Sequence, residues 1–151
     1  MSAIELAGGR ALEVEIVERT DHAVIVADRD GTIRFWNPGA EAMFGHARAE
    51  AVGRSLDLIV SENLRERHWD GYHRVMETGE TDYAGRTLAV PAVRADGTRI
   101  SVEFTVTLLA GEDGAVAGIA AIMRDVTAQW EEQRALRRRL AELERDPARG
   151  N

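Results

Sequence analysis

The chain has 151 residues, 44% hydrophobic and 30% charged, with a formal net charge of -7 and a pI near 5.1. This is the composition of one globular domain with a terminal extension, and its acidity argues against general attraction to nucleic acid or anionic lipid. The absence of cysteine excludes disulfides, thiolate metal sites, iron–sulfur clusters, cysteine nucleophiles and flavin photochemistry through a cysteine adduct.

Met1–Gly9 lacks the basic start and apolar stretch of a secretory signal, and no apolar run approaches the roughly 20 residues of a membrane span. A cytoplasmic location with no membrane partner is therefore expected. Residues 10–19 read as an amphipathic helix with Leu12, Ile16 and Val17 on its apolar side. His22–Asp28 and Thr32–Trp36 are β-rich runs joined by Arg29-Asp30-Gly31, which is a hairpin pattern. Asn37-Pro38 offers an N-cap and a first-turn proline to a helix bearing Ala40, Met43 and Phe44, and Gly45 ends it. A short helix near Arg48–Val52 follows, then Gly53 and an apolar knot, Leu56–Val60.

The longest internal helix is expected over 61–77, opened by Ser61 and stopped by Thr78-Gly79. Three strands come next. Tyr83–Arg94 carries Pro91, which points to an edge or a bulge. Arg99–Leu109 alternates Ile100, Val102, Phe104, Val106 and Leu108 with polar residues, so one face is core and the other wet. Val116–Met123 is nearly continuously apolar. A charged helix then runs from Thr127 to Arg145, stopped by Asp146-Pro147. Val126, Leu136, Leu140 and Leu143 fit a and d places of a heptad frame with Gln133 in an a slot, a short coiled-coil pattern.

The carboxylates Asp28, Asp30, Glu112 and Asp113 lie at turns, where they are expected, no loop has phosphate-cradling spacing, and Glu15 and Glu18 near His22 form no metal-ligand motif, so no catalytic residues are assigned. The run Arg134, Arg137, Arg138, Arg139 is interleaved with Glu131, Glu132, Glu142 and Glu144, the pattern of a solvated helical face and not of a nucleic-acid site.

The order of elements, with the segments IVADRDGTIRFWNPGAEAMFG (25–45), RADGTRISVEFTV (94–106) and GIAAIMRDVTAQ (118–129), resembles the PAS domain family across residues 20–125. The resemblance implies an α+β fold: a five-stranded antiparallel sheet with helices over one face, enclosing a small-molecule pocket or a filled core. It further implies a flanking helix within 1–19, a signalling helix over 126–146, and a tail at 147–151. Asp125-Val126-Thr127 resembles the junction through which such domains pass a signal from the last strand to the outgoing helix. The function implied is sensory signal transduction, not catalysis, in a homodimer joined by the flanking helices and coupled to a downstream output domain or partner.

His68 lies on the long helix with Leu64, Tyr72 and Val75 on the same stripe, so its imidazole is expected to face the sheet. An imidazole toward an apolar cavity is what a heme iron needs as an axial ligand. RERHWDGYHRVMETGE (65–80) is similar to the proximal helix of the heme-binding PAS oxygen sensors, with Thr78 ten residues after His68. That resemblance implies heme b on His68, with Tyr72 beside it, Arg74 holding a propionate, and Phe104 and Val106 as the distal wall. There are departures. Trp69 displaces Tyr72 by one place, and Leu88 stands where the oxygen sensors carry a ligand-stabilising Arg. Arg86, two residues earlier on the same strand face, is the distal donor that remains. The alternative is a cofactor-free dimerisation or protein-interaction module, its core closed by side chains such as Phe44, Leu88 and Met123, as the sensor part of a histidine kinase or other output protein.

Overall fold

Residues 6–81 and 87–145 are described in the structure, a computed structural model. Leu12–Arg19 forms α1, with Glu13 and Glu15 in its first turn and Arg19 in its last, the charge order that a helix dipole favours. Ala23–Asp28 (β1) and Ile33–Trp36 (β2) make the expected hairpin. The Asp28 carboxylate ties the turn by accepting the backbone N–H groups of Asp30 and Thr32 at 2.9 and 3.1 Å. Gly31 takes φ +79° there, and a Cβ on it would fall 2.1 Å from the ring of Trp69. Thr32 leaves the predicted strand because it bridges Ser55 instead.

Pro38–Phe44 (α2) starts as its sequence dictates. Asn37 Oδ1 accepts the Ala40 N–H at 2.9 Å and also the Val24 N–H at 2.8 Å, while Nδ2 donates to the carbonyls of Val17 and His22. Asn37 is fully buried with every one of these groups satisfied, so it fastens α1, β1 and α2 together. Arg48–Ala51 (α3) follows.

The helix expected over 61–77 divides. Glu62–Leu64 is a 3-10 turn, and the α-helix proper, α4, is Arg65–Thr78. Ser61 makes no capping bond because its hydroxyl is buried without a partner, and Leu64 (φ -107°, ψ -4°) bends the chain between the two pieces.

Leu88–Val93 (β3), Arg99–Ala110 (β4) and Val116–Asp125 (β5) complete the sheet, and Thr127–Arg145 is α5. The expected start of β3 at Tyr83 lies outside the described residues. The strand order is β2-β1-β5-β4-β3, antiparallel throughout. Pro91 sits on β3, an edge strand paired only with β4, where its missing N–H costs nothing to the ladder. Along β1, Ala23, Ile25 and Ala27 point inward opposite Met123, Ala121 and Ile119 of β5. Together with Trp36, Phe44, Tyr72 and Met76 they form one core under the helices, and Trp36 meets Phe44 at 5.6 Å between ring centroids. On the other face of the sheet Ile122 stays exposed.

Candidate ligand-binding site

The helical period of α4 brings one side of it onto the sheet. Tyr72 and Met76 are buried, and His68, one turn before Tyr72, is half-buried. Beneath them lies a cavity of about 120 Å³ bounded by α4, the Leu56–Val60 segment and strands β1, β3, β4 and β5. Its lining is apolar apart from His68 and Tyr72: Ile25, Leu56, Ile59, Val102, Phe104, Val106, Ile119 and Met123 supply most of the wall.

His68 Nδ1 is buried and has no hydrogen-bond partner. Burial pushes the imidazole pKa below its ordinary value, the Asp57 carboxylate opposes this and His73 adds to it. The ring is therefore neutral near pH 7, and no protein group hydrogen-bonds to its Nδ1. Tyr72 behaves differently. Its hydroxyl donates to the Asp28 carbonyl, and burial, with the charges of Asp28 and Asp30, holds its pKa well above the ordinary value, so it remains a donor. Trp69 packs edge-on against His68 at 4.8 Å between centroids and donates from Nε1 to Asp57 Oδ1 at 2.7 Å.

Of the predicted site residues, His68, Tyr72, Phe104 and Val106 share this cavity. Leu88 is half-buried on β3 but not in the lining, Arg74 is exposed on α4, and Arg86 lies outside the described residues. Met123 lines the cavity, whereas Phe44 packs on Trp36. Leu56, Ile59 and Val60 were legible only as an apolar knot. Their place as a cavity wall depends on tertiary packing.

The PAS fold family matches residues 17–131 of this sequence. The chain belongs to the PAS fold family. Similar curated proteins include an uncharacterized protein of Azorhizobium caulinodans, 38% identical over 117 residues that make up 77% of this chain and 16% of the relative. The oxygen sensor protein DosP of Escherichia coli is 29% identical over 117 residues, covering 76% of this chain and 14% of its own length. The signal transduction histidine-protein kinase AtoS of the same organism is 30% identical over 138 residues, covering 90% and 21%. The chain thus spans between 14% and 21% of these relatives. Among solved structures, a PAS domain from Colwellia psychrerythraea superposes with a TM-score of 0.66 at 20% identity, covering 77% of this chain and 95% of that one.

As in the resemblance drawn from sequence, this PAS domain runs its last strand directly into an outgoing helix. At the junction the Val126 N–H donates to the Ser101 carbonyl at 2.8 Å. The Thr127 hydroxyl donates to Asp125 Oδ1 at 2.5 Å and accepts the Ser101 N–H at 2.9 Å. Asp125 Oδ1 also accepts the Thr127 N–H at 2.9 Å, satisfying one free amide of the first turn of α5. Strand β4, which carries Phe104 and Val106, is therefore bonded to the start of α5 in the PAS domain. Arg29 makes a second link across the fold. It donates to the carbonyl of Met76 at the end of α4 and to that of Val116 at the start of β5. Among the described residues no helix is long and apolar enough to cross a membrane, and no group of three or more His, Asp or Glu is placed to hold a metal ion.

Proposed function

We propose that this chain is a cytoplasmic sensory module in which residues 20–125 bind a ligand under α4 and residues 126–146 relay the bound state in a homodimer to an output domain or partner. The observation that carries this reading is His68, a neutral half-buried imidazole that lines an apolar cavity and has one buried nitrogen without a hydrogen-bond partner. Buried polar atoms are ordinarily satisfied, and one that is not is a candidate for a ligand. Heme b is the group this donor set fits: one free imidazole, a phenol beside it and aliphatic and aromatic walls. Its iron supplies affinity for a diatomic gas or a change of redox state. His68 would hold it from the α4 side, Phe104 and Val106 would bound the opposite side, and Arg74 is proposed for its charged edge. Similarity to a protein named as an oxygen sensor supports this.

One observation favours the second reading, a cofactor-free docking module. The cavity of about 120 Å³ is smaller than the roughly 300–1,000 Å³ of ordinary small-molecule sites, so a porphyrin requires α4 to part from the sheet. Hemin titration separates the two. The sensor reading expects a Soret band with the wild-type chain that is lost or displaced in His68→Ala. A wild-type chain that yields no such band leaves the docking module.

A further inference from the structure

Two walls of the cavity are tied together by a bond between side chains that lie outside its lining. Leu56, Ile59 and Val60 form one wall, and His68 and Tyr72 of α4 form another. Asp57 follows Leu56 and Trp69 follows His68, and the Trp69 Nε1–H donates to Asp57 Oδ1 at 2.7 Å. A carboxylate acceptor makes this bond charge-assisted, and both partners are half-buried. Arg65, one turn earlier on α4, reaches the carbonyls of Val60 and Asp57 only at 3.3 Å, and the Asp57 carboxylate at 3.9 Å. The indole is seated by shape as well. A Cβ at Gly31 would fall 2.1 Å from ring carbons Cη2 and Cζ3, so a side chain at that turn would displace the ring. On its other sides the ring meets His68 edge-on and stacks on His73, 5.9 Å between centroids.

We propose that Trp69 is the residue that sets the size of ligand the cavity admits. Its bond to Asp57 latches α4 to the Leu56–Val60 segment, and a ligand too large for about 120 Å³ enters only when that bond breaks. An apolar cavity of about 150 Å³ holds one benzene ring, so the latched cavity takes a single ring at most. Release acts on one end of α4. Tyr72 donates to the Asp28 carbonyl and Arg29 donates to that of Met76, so the later turns stay anchored. The first turn, which carries His68, is the part freed to move. Neither Asp57 nor Trp69 belongs to a strand, so opening leaves the sheet pairing intact. This inference rests on the ligand-binding reading proposed above and adds the residue that controls access to that site.

The acceptor side gives the cleanest test. Asp57→Leu removes the acceptor at nearly constant shape, whereas Asp57→Asn removes the charge and keeps an oxygen for the indole. In the full ligand-free chain, Asp57→Leu should speed amide exchange in the first two turns of α4 roughly tenfold. Asp57→Asn should stay near the wild type, with β1 and β5 unchanged in both variants. Trp69→Phe removes the donor instead, and adding Asp57→Leu to it should speed exchange no further. Calorimetric titration with phenol and 2-naphthol reads ligand size. Phenol should bind all three Asp57 chains alike, while 2-naphthol should bind Asp57→Leu roughly tenfold more tightly than wild type or Asp57→Asn. Exchange that is unchanged, or that speeds in α4 and the sheet alike, overturns the latch. Equal 2-naphthol affinity in every chain overturns its control of size. Binding of neither probe by any chain overturns the ligand-binding reading as well, and since neither probe contains heme, a missing Soret band would count against heme alone.

Discussion

A half-buried imidazole with an unpartnered nitrogen resists protonation, because the charged form gives up its hydration and gains no new hydrogen bond. For His68 the folded chain binds a proton less readily than the unfolded chain, whose value is near 6.5. Stability is therefore unaffected by this group above that value and falls as the pH drops below it toward the folded pKa. Asp57 and His73 are the ionisable groups that modulate the effect, in opposite directions. Urea midpoints of the ligand-free chain should fall between pH 7.5 and pH 5.5 more steeply in the wild type than in His68→Leu. Parallel pH profiles would mean that His68 is solvated in solution. The position of His68 and Tyr72 was legible from the 3.6-residue period alone. The unpartnered state of Nδ1 was not, because it depends on what the sheet and the Leu56–Val60 segment fail to offer it.

At the level of elements, the strands were the most legible. Strict alternation in Arg99–Ala110 and the Asp30-Gly31 turn fixed their faces and their pairing. The break between Glu62–Leu64 and α4 was hidden, since Ser61 looks like a cap in sequence and becomes a buried, unbonded hydroxyl in the fold. The junction at Asp125–Thr127 was visible as a motif, but its partner Ser101 stands 26 residues away and carries no local signal. Thr127→Val removes both hydroxyl bonds while keeping the side-chain shape. It should cost about 1–2 kcal/mol and speed amide exchange in the first turn of α5, with the sheet unchanged. Unchanged exchange in that turn would show that the Val126–Ser101 backbone bond and the Asp125 cap hold the helix without the Thr127 hydroxyl.

Across the whole molecule, the cavity wall and α5 are joined through strand β4, and a separate tie holds α4 to the sheet. Strand β4 contributes Phe104 and Val106 to the cavity wall and Ser101 to the junction. Arg29 ties the end of α4 to the start of β5 through contacts 47 and 87 residues apart in sequence, which no periodicity encodes. Under the proposed relay, displacement of β4 by a ligand would act on the Ser101 bonds that hold the origin of α5. Hydrogen exchange across 126–145, with and without hemin, tests this coupling most directly. The wild-type chain should show altered protection in the first turns of α5 on hemin addition, and His68→Ala should show none. Identical α5 protection in a wild-type chain whose spectrum reports bound heme would contradict the coupling of His68 to the outgoing helix.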